Sequence, residues 1–288
     1  MRVWYNTDTT NAPKFMEALH TSSEKQKEQH IQRQDDFSIP RNSHEEILES
    51  RAIVEKRDLR KMRPESVHTN AVYFVSLDND GSGIFKPKLD RDAAKATEEL
   101  GIYPKRARAA YLISSFFELD IVPPTVIREI DNRIGSLQKY ISGGRDFYEF
   151  ADISQEELLK KLQRQFAALW LFDYIIWNSD REFGRNIIIS ADKVHAIDND
   201  YSFIEDREPC QFESFLYTPL PPPPRFVEKI SDFAKNKKAQ DSLRKALEEL
   251  LPSDWDEACI ERILFLSQEL EQNSGVVSKL DTWYPKTK

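Results

Sequence analysis

The amino-acid sequence predicts an α+β fold with two lobes, a sheet-rich first lobe followed by a mainly helical second lobe. Residues 71–141 alternate short β-branched and aromatic runs with turn residues, a pattern typical of antiparallel strands. Residues 154–273 instead show helical periodicity over most of their length. Hydrophobic residues make up 40% of the 288-residue chain, which excludes a wholly disordered protein and allows a cleft between two packed lobes.

A helical N-terminal extension is predicted over residues 1–70. Residues 45–61 repeat Ile, Leu and Val at helical intervals, and Asn42-Ser43 before them is typical of a helix cap. The extension contains no pattern that indicates chemistry. We interpret it as a cover for the next domain or as an arm.

The first lobe, predicted over residues 71–145, begins with a β-hairpin. Ala71–Leu77 is rich in strand formers, Asp78–Gly83 is a turn that joins antiparallel strands, and Ile84–Lys86 is the returning strand. The remaining predicted elements are a helix over Arg106–Leu119, an edge strand after Val122-Pro123-Pro124, and a strand over Gly135–Ile141.

The second lobe, predicted over residues 146–288, is organised around one long helix. Ser154-Gln155-Glu156-Glu157 resembles a capping box, and the later turns, Phe166–Trp177, are apolar almost all round and therefore predicted to be buried. The elements that follow are short strands over Ile187–Ile189 and Val194–Ile197, and helices from beyond Pro219–Pro224 to about Asn273.

The composition excludes several classes of function. The chain has 41 basic and 49 acidic residues, a net charge of −8, which argues against a nucleic-acid partner. Two cysteines, Cys210 and Cys259, are too few for a disulfide framework or a zinc site. No secretory signal is visible, and the longest apolar run is too short to span a membrane. We therefore expect a cytoplasmic protein without stable membrane insertion, unless a signal of another kind directs its secretion into a host cell.

Two features of the hairpin indicate a phosphate site. The turn contains Gly81, Ser82 and Gly83, small residues that allow backbone amides to approach a phosphate, and Lys86 lies on the returning strand. Each feature also has a plainer interpretation. A Gly-Ser-Gly turn usually only joins two strands, and a lysine before proline is usually a solvated charge.

Carboxylate and amide side chains follow in the second lobe. Asp180 and Asn186 lie in a charged loop between a buried helix and an apolar strand. Asp198 ends the next apolar strand, where its plainer role is to cap a turn. Phosphoryl transfer from ATP needs a loop over the phosphates, a strand lysine, metal ligands and a carboxylate beside the attacking hydroxyl, and the chain offers them in that order.

Several stretches between Val72 and Phe203 together resemble one family. They are Ile84-Phe85-Lys86-Pro87, Ala109-Ala110-Tyr111-Leu112 with Val122-Pro123-Pro124-Thr125, Gly135-Ser136-Leu137-Gln138, Asn178-Ser179-Asp180-Arg181 with Asn186, and Ala196-Ile197-Asp198-Asn199 with Phe203. On these stretches the chain resembles the bacterial phosphoinositide-kinase-like and HipA-like branch of the protein-kinase fold. Both ends of the chain lie outside the resemblance.

The resemblance implies an ATP site on the first lobe. Lys86 would bind the α- and β-phosphates. Gln138, Tyr140 and Ile141 would belong to a hinge that accepts adenine through backbone groups.

The resemblance also implies the roles of the second-lobe residues. Asp180 would orient or deprotonate the acceptor hydroxyl, and Asn186 and Asp198 would hold Mg²⁺, a hard cation that favours oxygen ligands. Arg181 would brace the catalytic loop or the metal-binding loop. The implied activity is transfer of the γ-phosphoryl group of ATP to a hydroxyl.

One departure from the family concerns the partner of Lys86. In the family, a glutamate on the first-lobe helix pairs with the strand lysine, and Ala107 occupies that place here. Glu98 and Glu99 are the alternative partners.

Two further departures lie in the catalytic loop. Asp180 and Asn186 are six positions apart, one more than in the kinase catalytic loop, and Gly184 is expected to accommodate the extra residue. Glu182 occupies a position where the family commonly has histidine. These departures leave two alternatives open: a pseudokinase or nucleotide-binding regulatory module, and an enzyme that transfers another part of the nucleotide, such as adenylyl.

The acceptor is expected to be a protein, with a lipid as the alternative. The basic groups Lys235-Asn236-Lys237-Lys238 and Lys105, Arg106 and Arg108 would suit anionic lipid, but both are more readily explained as solvated helix faces. Pro221–Pro224 is interpreted as a stiff connector rather than as a ligand for a polyproline-binding domain.

Overall fold

The computed structural model describes stretches of the chain that all belong to one compact unit, Ile39–Lys288. The described residues are 42–62, 71–88, 102–150, 155–178, 180–181, 184–203 and 222–273. Several predictions from the sequence lie outside them, namely those on Glu98, Glu99, Ser154, Glu182 and Cys210.

A five-stranded antiparallel sheet forms the first lobe. Its strands are β1 (Ile53–Asp58), β2 (Tyr73–Leu77), β3 (Ser82–Pro87), β4 (Thr125–Ile130) and β5 (Arg133–Lys139). The spatial order is β1-β2-β3-β5-β4. This order confirms the predicted hairpin of β2 and β3 and the edge position of β4, and it places β3 at the centre of the sheet.

The predicted helix over residues 45–61 is wrong in its second half. Helix α1 (Ser43–Ser50) begins at the expected cap, where the Asn42 side chain accepts a hydrogen bond from the His44 N–H. It ends at Ser50, and β1 then pairs with β2 along the sheet edge, followed by the short helix α2 (Leu59–Met62). Pairing with a distant strand overrides the local helical spacing, so the sheet begins before residue 71.

Helix α3 (Tyr103–Phe116) packs against β4 and β5, and it also contacts elements of the second lobe. Pro104 lies in its first turn, where a missing N–H leaves no helical hydrogen bond unmade. The helix starts and ends three residues before the predicted bounds. One buried core cluster joins α1 to the sheet and consists of Leu48, Val75, Leu77, Phe85, Val126, Ile130 and Leu137.

The second lobe contains the predicted long helix, α4 (Gln155–Ile176), and a small sheet. The strands of that sheet are β6 (Arg145–Asp146), β7 (Ile187–Ser190) and β8 (Lys193–Ala196). Three helices follow, α5 (Pro224–Lys235), α6 (Lys237–Glu248) and α7 (Trp255–Gln272), which confirms the helical second lobe. Among the helices of the described stretches, none is long and apolar enough to cross a bilayer.

Candidate active site

Lys86 lies near the end of β3, the central strand of the first-lobe sheet. Side chains alternate between the two faces of a strand, and Phe85 is buried in the core, so Lys86 lies on the opposite face. Its Nζ forms an ion pair with Asp198 and lies 3.6 Å from an oxygen of Asp200. The structure therefore brings the predicted strand lysine and the predicted metal ligand together from two distant parts of the chain.

The charges of this group shift one another's protonation. Burial alone would lower the pKa of Lys86, but the carboxylates of Asp198 and Asp200 raise it above its usual value. Burial raises the pKa of Asp200, and the negative charge of Asp198 adds to that shift while Lys86 opposes it. Lys86 therefore stays protonated and cationic at neutral pH, as a phosphate-binding residue requires.

Asp198 lies between β8 and a short 3₁₀ helix, Asn199–Tyr201. Its backbone is left-handed, with φ 55° and ψ 52°, so the chain turns sharply at this residue. The preceding residue, Ile197, donates its N–H to the carbonyl of Asn186 at 3.0 Å. The loop that carries Asp198 is thus tied to the loop that carries Asn186.

Asp180 and Asn186 contact each other directly. The Asn186 amide Nδ2 donates to the Asp180 carboxylate at 3.1 Å and to the Asp180 carbonyl at 2.9 Å. Burial raises the pKa of Asp180, and the nearby charge of Asp198 raises it further. A carboxylate with a raised pKa accepts a proton more readily, which suits a general base.

Gly184 lies in the loop between Asp180 and Asn186. Its φ is +75°, a conformation that glycine adopts without strain, and its N–H donates to the Arg181 carbonyl at 3.3 Å. A Cβ at this position would lie 2.6 Å from the Phe147 ring. The sequence predicted that Gly184 accommodates the extra residue, and its backbone agrees with that interpretation.

Arg181 is completely buried beneath the two functional loops. Its Nη1 donates to the carbonyls of Asn186 at 2.6 Å and Ile197 at 2.8 Å, and its Nη2 donates to the Asn199 side chain at 2.6 Å. Its guanidinium also forms an ion pair with Asp173 at 3.2 Å. Arg181 therefore contacts both loops at once, the position expected of a bracing residue, and it has no surface that a substrate could reach.

Asp173 and Asn178 belong to this network but were not predicted as site residues. Asp173 lies on α4, and its Oδ1 accepts from the Asn178 amide at 2.9 Å. Burial raises the pKa of Asp173, and Arg181 opposes that shift. The sequence did contain a signal, since Asp173 is a single acidic residue inside an apolar helical run. A buried charge requires a partner, so this position indicated a charged network.

The predicted phosphate loop is shorter than residues 78–83. Only a tight turn separates β2 from β3, and its left-handed residues are Asn79 (φ 52°) and Asp80 (φ 61°). Gly81 follows the turn, and its carbonyl accepts from the N–H of Leu77 at 2.7 Å. The prediction that the whole stretch is a loop is therefore wrong after Gly81.

Ser82 and Gly83 lie within β3 and are paired with β2 on one side. A Cβ on Gly83 would lie 2.7 Å from a methyl carbon of Leu137, so the glycine allows β3 and β5 to approach closely. This packing explains the glycine without a ligand. Phosphate binding by Gly81, Ser82 and Gly83 stays a prediction.

The predicted hinge begins inside β5. The Gln138 side chain donates to the Thr125 hydroxyl at 2.9 Å, and the Tyr140 N–H donates to the Ser82 carbonyl at 3.1 Å. β5 ends at Lys139, so Tyr140 and Ile141 belong to the connection between the first-lobe sheet and β6. Their contact with adenine stays a prediction.

The interpretation of Arg106 as a solvated charge is wrong. Arg106 is buried, and its guanidinium lies over the ring of Trp255 at 4.9 Å. Arg108 is ion-paired with the buried Glu45 at 2.7 Å and donates to the Thr125 carbonyl at 2.6 Å. Because α3 is enclosed by the sheet and the second lobe, basic residues on it require internal partners.

Asn186 and Asp198 supply oxygen donors that fit a hard cation. The Asn186 amide nitrogen faces Asp180, which leaves its Oδ1 for another partner. Within the described part of the chain, no group of three or more His, Cys, Asp or Glu side chains could hold a metal ion alone. Mg²⁺ suits such a sparse set, since it keeps several waters and is held by one or two carboxylates together with substrate phosphates.

Neither a protein-family model nor a curated protein sequence matches the chain. Among solved structures, the chain is similar to the crystal structure of a Golgi casein kinase with Mn and ADP bound. The two share 13% sequence identity with a TM-score of 0.50, over 77% of this chain and 73% of that chain. At this identity the likeness shows the fold alone: the chain has the two-lobed α+β fold of the protein kinases, as the sequence predicted.

Proposed function

We propose that the protein is a kinase that uses ATP and a divalent cation, Mg²⁺ in the first instance, to phosphorylate a hydroxyl group. The observation that carries this proposal is the contact between Lys86 and Asp198, which lie in different lobes. Asp180 and Asn186 lie beside them, linked through the backbone of Ile197. The similar Golgi casein kinase holds Mn and ADP, which supports a nucleotide and a metal as ligands of the same fold.

Each residue has a defined part in the proposed reaction. Lys86 would exchange its carboxylate partner Asp198 for the α- and β-phosphates of ATP. Asp180 would take the proton of the acceptor hydroxyl while the acceptor oxygen bonds to the γ-phosphorus and the bond to the β-phosphate oxygen breaks. The metal, held by Asn186 and Asp198, would neutralise charge on the phosphates. Arg181 would hold both loops in place, so that catalysis arises from positioning and electrostatics.

A pseudokinase is the second candidate, and one observation favours it. The Lys86–Asp198 ion pair engages the two groups that would bind the phosphates and the metal with each other. A protein that keeps this pair closed would bind nucleotide weakly or transfer phosphate slowly. Adenylyl transfer would use the same residues and differs only in which phosphorus is attacked.

The proposal also includes the class of acceptor substrate and the cellular location. Arg106 is buried and Arg108 is ion-paired, so this basic group is not a membrane-facing patch, which favours a protein acceptor over a lipid. The remaining elements of the proposal are membership of the phosphoinositide-kinase-like and HipA-like branch, a cytoplasmic location and the absence of a nucleic-acid partner. They rest on the sequence pattern and on the net charge of −8.

The test compares ATP turnover by the wild type with turnover by Asp180→Asn and Asp198→Asn. Purified protein is incubated with γ-labelled and α-labelled ATP, Mg²⁺ or Mn²⁺, and a protein extract as acceptor. We expect γ-label transfer by the wild type and a loss of about 10²–10⁴-fold in Asp180→Asn, the range for removal of a catalytic acid–base group. Asp198→Asn should also lose most of the transfer, because the metal that neutralises the phosphates would lose a ligand.

Asp192→Asn is the matched control, since Asp192 is an exposed carboxylate in the β7–β8 turn that pairs only with Lys161 among the described contacts. It should turn over ATP like the wild type. Metal-dependent nucleotide binding without any transfer would favour the pseudokinase, transfer of the α-label would favour adenylylation, and absence of nucleotide binding would refute the proposal.

A further inference from the structure

The proposed function leaves Lys86 with a missing partner. When Asp198 binds a metal, its carboxylate is no longer available to neutralise Lys86. The helix position that would supply a glutamate is Ala107, and the lysine is only partly exposed. The α- and β-phosphates of ATP would neutralise the ammonium group, but without a fixed carboxylate beside it the lysine is poorly oriented toward them.

We propose that Asp200 is the residue that positions Lys86 while Asp198 binds the metal; this inference rests on the proposed function. Asp200 Oδ2 lies 3.6 Å from Lys86 Nζ. The side chain of Asp198 is 35% exposed and that of Asp200 is 10% exposed. A bound cation can therefore reach Asp198, while Asp200 stays against the lysine.

The position of Asp200 is fixed independently of Lys86. Arg106 Nη1 donates to the Asp200 carbonyl at 3.5 Å, and the Arg106 guanidinium lies over the rings of Trp255 and Tyr103. The ring of Tyr103 also packs on that of Tyr201 at 5.4 Å. The 3₁₀ helix that carries Asp200 is thus attached to the first turns of α3.

The result is a reversed arrangement of charges. In the kinase arrangement described above, the helix supplies the anion that orients the strand lysine. Here α3 supplies a buried cation, Arg106, which holds the backbone of the loop, and the loop supplies the anion, Asp200. Among the described residues of the first lobe, the buried acid is Glu45, and it is engaged by Arg108 and Tyr111. Helix α3 still positions Lys86, but through the backbone of Asp200.

A role for Asp200 as a further metal ligand is the competing explanation. The described residues contain no set of three acidic side chains arranged around one metal position. Asp200 is also the less exposed of the two carboxylates beside Lys86, at 10% against 35% for Asp198. The geometry therefore favours the positioning role, and the metal requirement of a variant separates the two.

The first experiment needs neither nucleotide nor activity. Lys86 acylation by a water-soluble amine reagent is timed by peptide mass spectrometry in the full-length protein. Asp198→Asn removes the nearer carboxylate and should raise the Lys86 labelling rate only about two- to threefold, because Asp200 remains beside the ammonium group. Adding Asp200→Asn should raise that rate by roughly five- to tenfold, because the ammonium group loses its remaining charged partner.

The controls keep this result interpretable. Asp192→Asn in the Asp198→Asn background should leave Lys86 labelling unchanged and raise only that of Lys161, its exposed partner. Asp200→Glu in the same background should restore slow labelling, which a general loss of folding would not allow. The proposal is overturned if Asp198→Asn alone gives the full increase, or if Asp200→Asn adds nothing.

The second experiment uses turnover. Asp200→Asn should lower kcat/KM for ATP by about tenfold, Asp200→Glu should recover part of it, and the Mg²⁺ concentration for half-maximal rate should not change. A higher Mg²⁺ requirement would identify Asp200 as a ligand and overturn the proposal. Absence of ATP binding in the wild type would refute the proposed function, and the labelling result would still decide the role of Asp200.

Discussion

Two ion pairs, each between a basic side chain and an aspartate, differ in how far they are exposed to solvent. The Arg181–Asp173 pair lies beneath the functional loops, with side chains 0% and 3% exposed. The Lys86–Asp198 pair faces the region between the lobes, with side chains 22% and 35% exposed. The guanidinium of Arg181 makes several hydrogen bonds to fixed backbone and side-chain oxygens. The partners of Lys86 among the described residues are the carboxylate of Asp198, which a ligand can replace, and that of Asp200.

This difference in burial separates residues that stabilise the site from residues that would bind the ligand. A buried, fully hydrogen-bonded guanidinium has one arrangement and stabilises it, because any other would leave charges without partners. A partly exposed ammonium can change partners at small cost, since solvent screens each pair. We therefore expect loss of Arg181 to affect stability and loss of Lys86 to affect ligand binding.

The largest expected effect is that of Arg181→Met. Methionine fills part of the volume but leaves Asp173 buried and without its cation, so the free energy of unfolding should fall by about 3–5 kcal/mol. Urea denaturation followed by tryptophan fluorescence measures this change. A variant that is stable but inactive would place Arg181 in catalysis rather than in bracing.

Lys86→Met is the matched substitution for that experiment. It should change the free energy of unfolding by only about 1 kcal/mol, because Asp198 is partly exposed to solvent and the raised pKa of Asp200 allows that carboxyl to become neutral. Equal losses of stability in the two variants would contradict the contrast between the pairs.

The features that the sequence predicted are those that local patterns determine. The hairpin of β2 and β3, helix α4 and the strands β7 and β8 follow from residue periodicity and turn residues within each segment. That Lys86 and Asp198 belong to one ATP site was predicted from their order along the chain and from a family resemblance, because no local pattern joins residues so far apart in sequence. Their direct contact was not predicted.

The features that were missed depend on tertiary contacts. β1 was interpreted as helix, since its strand character arises from pairing with β2 across a long connection. Arg106 was interpreted as solvated because a sequence does not show which neighbours enclose a helix. Asp173 stood out as a charge in an apolar run, but its partner Arg181 comes from the loop after the helix. Sequence periodicity therefore located the elements, and packing decided which charges are buried.

Gly184→Ala tests whether the loop between Asp180 and Asn186 is as tightly packed as the buried Arg181–Asp173 pair. Alanine would be strained at φ +75°, and its Cβ would also lie 2.6 Å from the Phe147 ring, so we expect a loss of about 2–3 kcal/mol in stability and a lower kcat. Gly143→Ala separates the two causes, because Gly143 has φ +68° and open space around its Cβ position. It should show only the strain, about 1 kcal/mol. Equal effects of both substitutions would mean that the Phe147 contact does not fix the loop.

The last prediction concerns His195 on β8, a buried residue that is neutral rather than ion-paired. Its Nε2 lies 2.9 Å from the Ser190 hydroxyl. Burial lowers the pKa of His195 to about 4, Lys193 and Lys139 add to that shift, and Asp120 opposes it. The unfolded chain binds a proton below about pH 6.5 and the folded chain does so only near pH 4, so stability should fall as pH drops through this interval.

With allowance for solvent screening, this contribution is roughly 1–2 kcal/mol. Urea denaturation at several pH values between 7 and 4 should show a smaller decline for His195→Gln than for the wild type, because glutamine keeps a hydrogen-bonding group but does not titrate. Parallel declines for the two proteins would mean that His195 accepts a proton in the folded state as readily as in the unfolded one. Burial would then not prevent protonation of His195 in the folded state. The tightly packed surroundings of the Arg181–Asp173 pair would in that case not extend to the β7–β8 hairpin that leads to Asp198.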